Sequence, residues 1–160
     1  MTNALWAAVA LCAIAAALEG VCAGRDVRRF FEMFRFPPYS APLWVWSIIG
    51  AVYYAVFGFV VFRLLSAAQP SRLARATLML IVAMMLGNAL TNLVIFRAQN
   101  LNLSYVIGCV FAGLDLVLIG SVLRLDRIAA AALVPYLVYR VYAVWWGRAL
   151  VKLNARPLSQ

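Results

Sequence analysis

Five apolar runs of about twenty residues each account for most of this 160-residue chain. They cover residues 5–23, 43–65, 76–96, 103–123 and 128–150. As a helix rising about 1.5 Å per residue, each run matches the roughly 30 Å hydrocarbon core of a bilayer. With 67% hydrophobic residues, 12% charged residues and mean hydropathy +0.95, a soluble domain of this length has no way to hide its apolar surface. The expected fold class is all-α: one integral membrane domain, 1–160, built as a bundle of five transmembrane helices, with residues 24–42 as a loop. Met1-Thr2-Asn3 lacks the basic residues of a signal peptide, so the first run is expected to remain as a span.

The formal charge of +9 raises the question of a nucleic-acid partner, but the arginines fall between the apolar runs and form no basic face. That distribution marks topology and lipid-headgroup contact, so membrane lipid is the expected partner and nucleic acid is not. One side of the bundle collects Arg25, Arg28, Arg29, Arg35, Arg97, Arg148, Lys152 and Arg156; the other has Arg63, Arg72, Arg75, Arg124 and Arg127. By the positive-inside rule the C-terminus and the first loop face the cytoplasm. Cys12, Cys22 and Cys109 lie in apolar surroundings without metal-ligand spacing and are read as packing residues. The chain has no histidine and only five acidic residues, which leaves no hydrolase or metal constellation, so neither a catalytic residue, a metal nor a cofactor is expected.

Residues 30–58, FFEMFRFPPYSAPLWVWSIIGAVYYAVFG, combine a dense aromatic series with Pro37, Pro38 and Pro42. Proline fixes φ and disfavours helix at the residue before it, so Phe36 to Ala41 is expected to be extended or turning, with Pro42 opening the second span. A rigid aromatic loop at a membrane mouth reads as a lid; Trp44 and Trp46 as interface anchors are the plainer alternative. In the first span Ala8, Cys12, Ala16, Gly20 and Gly24 recur every fourth residue, a stripe for close helix approach. Glu19, near its end, is expected to reach the interface or meet Arg25 or Arg28. In the second span Ser47, Gly50, Ala51, Tyr54 and Gly58 share a face that serves either a tight helix contact or a ligand. Ser66 to Ala74 is a polar connection containing Pro70. In the third span Asn88, Thr91 and Asn92 need partners or a polar cavity, and Ala83 and Gly87 are spaced for close packing.

Asp115 and Arg140 sit inside the fourth and fifth spans, which Arg124 to Arg127 join by a tight turn. Counting about 1.5 Å per residue from that turn, they lie about 12 Å and about 18 Å deep, a difference an arginine side chain spans. A lone charge at that depth is costly, so an intramembrane ion pair between Asp115 and Arg140 is expected.

Three separated pieces form one pattern: Phe30-Phe31, Phe34, Pro37, Pro42, Trp44-Val45 and Tyr54; Gly87-Asn88 and Phe96; and Leu133-Val134-Pro135-Tyr136-Leu137 with Tyr139, Ala143, Leu153 and Asn154. Together they resemble the translocator protein / tryptophan-rich sensory protein (TspO/MBR, peripheral benzodiazepine receptor) family, the first piece its aromatic-proline loop and second helix, the second its third helix and the last its fifth. The departures are as informative. The family's helix tryptophans fall at Gly50, Thr91 and Tyr139, a fifth-helix asparagine at Gly147, a loop proline at Ala41, and loop tryptophans at Pro38 and Tyr39. Asp115 and Arg140 are additions to the pattern. The resemblance implies a divergent member: a homodimeric five-helix receptor or transporter-like protein, binding a flat apolar ligand such as a tetrapyrrole (porphyrin or heme) or sterol under the loop between spans one and two. On the fifth span Tyr136, Arg140, Ala143 and Gly147 share a face flanked by Tyr139, and Tyr54 and Asn88 project from spans two and three; with the positions the resemblance points to, the candidate ligand-binding residues are Tyr39, Trp44, Gly50, Tyr54, Asn88, Thr91, Tyr136, Tyr139, Arg140, Ala143 and Gly147. Arg140 is a candidate seat for a ligand carboxylate if Asp115 leaves it free. The alternative is a membrane subunit acting only in helix-mediated assembly. Enzymatic action on a lipid or tetrapyrrole has little support, because no acid/base pair stands free.

Overall fold

The computed structural model describes residues 2–25, 27–67 and 71–155. These form six helices: α1 Thr2–Ala23, α2 Val27–Met33, α3 Leu43–Leu65, α4 Arg72–Asn92, α5 Leu101–Leu123 and α6 Arg127–Asn154. All except α2 are long and apolar enough to cross a membrane, which gives the expected five-helix bundle. Pro70 and Arg156 lie outside the described residues.

Local chemistry sets the helix ends. Gly24 closes α1 at φ 65°, the left-handed conformation that glycine adopts without a Cβ penalty, and its N–H donates to the Gly20 carbonyl at 3.0 Å. Pro42 is the N-cap of α3, one position before the helix proper, and its carbonyl accepts from the Val45 N–H at 2.9 Å. The Ser71, Asn100 and Asp126 side chains accept N–H groups that would otherwise be orphaned at the starts of α4, α5 and α6. Beyond Asn92 the chain continues through a π-helical turn, Leu93–Arg97, where the Ala98 N–H reaches the Leu93 carbonyl at 3.0 Å. Such turns re-aim side chains, and this one lies beside the first loop. The loop is not wholly irregular, because Val27–Met33 forms α2 before Phe36 to Ala41 runs without helix as the prolines require.

Around the bundle the long helices pack in the cyclic order α1, α3, α6, α5, α4, with a smaller contact between α3 and α4. The half away from the loop is filled by Phe57, Val60, Val61, Ile81, Met84, Leu118, Val122 and Leu133, all buried. Asp126 in the α5–α6 turn, at that end, accepts from Arg63 Nε at 2.6 Å. That bond, with those from the Ile128 and Ala129 N–H groups, holds the Asp126 carboxyl below its ordinary range against an opposing effect of partial burial.

The small-residue stripe on α1 works differently from the expected four-residue repeat. Ala8, Ala15 and Cys22, seven apart, are the buried positions, while Ala16 and Gly20 are exposed. Cys12 does serve close approach: a Cβ on Gly58 would lie 3.2 Å from its Sγ. Gly87 packs within the bundle, where its missing Cβ makes room for the Phe111 ring.

Candidate functional site

The loop half of the bundle encloses a cavity of ≈ 360 Å³ that all six helices line. Tyr53, Tyr136 and Arg140 line it next to the solid core; Trp46 of α3, Phe96 of the π turn, and Tyr139 and Trp146 of α6 add aromatic wall. Phe30 and Phe31 of α2 contribute from the loop. Small-molecule sites span about 300–1,000 Å³, so this one is sized for a compact ligand.

Hydrogen bonds from α3 and α6 hold the loop over the cavity. The Ala41 N–H donates to the Tyr142 hydroxyl at 3.2 Å, and that hydroxyl donates to the Tyr39 carbonyl at 3.2 Å. Trp146 Nε1 donates to Ser40 Oγ at 2.9 Å, and Trp46 Nε1 to the Ala41 carbonyl at 2.9 Å. Asn154 receives the Arg35 N–H at 3.0 Å and donates to the Arg35 carbonyl at 2.9 Å. The buried Phe30 ring packs among Phe31, Phe34, Phe36 and Phe96, which anchors α2 to the π turn that follows α4.

Arg140 and Asp115 meet as an ion pair, Nε to Oδ2 at 2.7 Å. Arg140 Nη2 donates to the Tyr136 hydroxyl, and its guanidinium carbon lies 5.3 Å from the centroid of the Phe111 ring. Asp115 Oδ1 is buried with no partner among the described residues. Asp115 therefore occupies Arg140 at Nε, and the condition under which the arginine would receive a ligand carboxylate unopposed is not met.

Of the residues implied as ligand-binding, Gly50, Asn88, Thr91, Tyr136, Tyr139, Arg140, Ala143 and Gly147 line the cavity. Three do not. Tyr39 stacks on Trp145 at the surface, ring centroids 4.4 Å apart. Trp44 is 65% exposed in the first turn of α3, where it suits an interface anchor. Tyr54 turns toward α1 and donates its hydroxyl to Glu19. Tyr53 and Trp46 take the places on the cavity side of α3.

Glu19 is the functional candidate that the sequence reading misplaced. Instead of reaching Arg25 or Arg28 it lines the cavity, with Oε1 accepting from Asn88 Nδ2 at 2.7 Å and Asn92 Nδ2 at 2.6 Å, and Oε2 from Tyr54. The signal was the set of polar residues on spans two and three, whose amides and hydroxyl need a buried acceptor. Arg97, meanwhile, donates to the Val21 carbonyl at 2.6 Å and packs against Gly24.

Compared with known families, residues 8–147 match the model of the TspO/MBR family. The chain belongs to that family. A comparison with curated proteins returns no match. Gly50, Thr91 and Gly147, the positions at which the sequence resemblance implies larger side chains, all line the cavity. A Cβ at Gly50 would meet nothing within 4 Å, so the wall leaves open space there.

Proposed function

We propose that this TspO/MBR member is a receptor or transporter-like membrane protein that holds a flat, mostly apolar ligand, tetrapyrrole or sterol-like, beneath the loop, and performs no catalysis on it. The cavity carries this reading: it is aromatic-walled, enclosed by the bundle, and roofed by a loop hydrogen-bonded at both Arg35 and Tyr39–Ala41. A bundle serving assembly alone has no need of a space that size beneath a pinned roof. The same reading includes a homodimer and a loop end facing the cytoplasm, supported by the family pattern and by the excess of basic residues on that side.

Tryptophan fluorescence in nanodiscs tests it, with protoporphyrin or a fluorescent sterol as titrant. Trp46 and Trp146 line the cavity whereas Trp6 and Trp44 are exposed, so saturable quenching should survive Trp6→Phe/Trp44→Phe and be lost in Trp46→Phe/Trp146→Phe. Quenching that never saturates, or that the second pair leaves intact, refutes the receptor reading and leaves the assembly role.

A further inference from the structure

Glu19 differs from every other charged group on the cavity wall. Its carboxylate is held by neutral donors only, the Tyr54 hydroxyl and the Asn88 and Asn92 amides, with no basic side chain within ion-pair distance among the described residues. Arg140, the other charged residue lining the cavity, is matched by Asp115 at 2.7 Å. The wall charge at Arg140 is thus cancelled locally and the one at Glu19 is not. Three donors converging from α3 and α4 fix the Glu19 rotamer, so the group is positioned before any ligand arrives. A carboxylate has about four acceptor positions. Oε1 uses two, Oε2 uses one, and one remains on a side chain that lines the cavity.

Given that the cavity is a ligand site, on which this inference rests, we infer that Glu19 is the seat for a cationic nitrogen on the ligand, a protonated amine, amidine or ring nitrogen carried by a flat apolar body. Tyr53, Trp46 and Tyr139 supply the faces for that body, and Glu19 supplies orientation and charge selectivity. The ligand N–H completes the carboxylate's last acceptor position and balances its charge where no basic side chain of the described residues stands within ion-pair distance. A ligand carboxylate, by contrast, meets an occupied Arg140 and an unbalanced Glu19.

Three probes that share one fused-ring body separate the possibilities: the aminoacridine cation, uncharged anthracene, and anthracene carboxylate. Each is titrated against tryptophan fluorescence of the full chain in phosphatidylcholine nanodiscs, with empty nanodiscs subtracted. A hydrogen bond to a charged group contributes about 1.5–3 kcal/mol, so the cation should bind about tenfold or more tighter than anthracene, and the anion weakest. Glu19→Gln should bring the cation-to-anthracene ratio close to one. Equal affinities in the unaltered protein, an anion that binds best, or a ratio that Glu19→Gln leaves unchanged overturns the inference. The ranking in the unaltered protein stands if that variant does not fold. Binding of anthracene without preference for the cation defeats the role of Glu19 alone, whereas failure of all three probes, protoporphyrin and the sterol defeats the receptor reading together with it.

Discussion

Breaking the Asp115–Arg140 pair from its two ends should cost unequal amounts, for reasons of place. Asp115 is 1% exposed and does not line the cavity, whereas Arg140 does. Among the described residues, Arg140→Met removes the hydrogen-bond partner of Asp115 Oδ2 while Oδ1 already lacks one. Stranding one member of a buried pair costs about 3–5 kcal/mol, and with no access to the cavity Asp115 belongs at the upper end. Asp115→Asn keeps an oxygen opposite Nε, and Arg140 retains the Tyr136 hydroxyl, the Phe111 face and the cavity. Exchanging a charged for a neutral acceptor lowers the worth of the bond from about 1.5–3 to about 0.5–1.5 kcal/mol, a loss of about 1–2 kcal/mol. Asp115→Leu/Arg140→Met removes both charges and restores apolar volume, an exchange that is often neutral in buried pairs, so it should be milder than Arg140→Met alone. Thermal unfolding in detergent reads the series. At roughly 2–4 °C per kcal/mol for a chain of this length, Arg140→Met should lower the midpoint by about 10 °C or more and Asp115→Asn by only a few degrees. A double variant that melts no higher than Arg140→Met, or an Asp115→Asn protein that melts below it, would refute the reasoning, because the carboxylate would then not depend on the arginine.

The cavity and its neighbours supply further tests. Gly50→Trp places an indole where a Cβ meets nothing within 4 Å, so protoporphyrin or sterol affinity should fall at least about tenfold, equivalent to about 1.4 kcal/mol, with an unchanged or raised melting midpoint; titration and melting together check both halves. Gly87→Ala puts a Cβ 2.8 Å from Phe111 Cζ, well inside the 3.5–4.0 Å optimum, and should cost about 1–3 kcal/mol, recovered in part when Phe111→Leu is added. Because the Asp126 carboxyl is held below its ordinary range when folded, its contribution is fully present above the unfolded value near 3.9 and is lost as pH falls through the lower folded value. Asp126→Asn should therefore lower the melting midpoint at pH 7 and leave it close to the unaltered protein's at the most acidic pH where both stay folded, with the gap closing below about pH 4.

The five spans were legible because hydrocarbon imposes one solution on a chain of apolar runs: every backbone polar group must bond within its own helix. The depth of Asp115 and Arg140 was legible for a related reason, since a fixed rise per residue and a tight turn convert sequence position into distance. Which way each helix faces was harder to read. Ser47, Gly50, Tyr54 and Gly58 do share one face of α3, but that face divides between the cavity, which takes Ser47 and Gly50, and α1, which takes Tyr54 and Gly58. The division depends on α1 standing next to α3 in the ring, and hydropathy says little about neighbours when all five helices are apolar over most of their surface. Glu19 escaped for the same reason: its distance along the chain from Arg25 and Arg28 was visible, whereas its partners stand 35, 69 and 73 positions away on α3 and α4.

Whether a bundle like this one is hollow turns on side-chain size at matching depths, and the two halves of the bundle differ there. On the side away from the loop, Phe57, Ile81, Met84, Met85 and Leu133 meet one another and fill the interior. Nearer the loop, Gly50, Gly108, Ala143 and Gly147 face the same interior from three helices and cannot fill it, while the large residues at that level, Trp46 and Trp146, are held to the loop by their indole N–H groups. A void lined by small residues would ordinarily be closed by helices moving together, since unfilled space forfeits dispersion contacts. Here the tethered indoles and the phenylalanine cluster around Phe30 act as spacers between α3, α4 and α6, and the polar set at Glu19 sets α1 against α3 and α4. The hollow is thus the consequence of a roof that is pinned before it is filled, and replacing Trp46 and Trp146 together should loosen the roof as well as remove the fluorescence signal that reports on what lies beneath it.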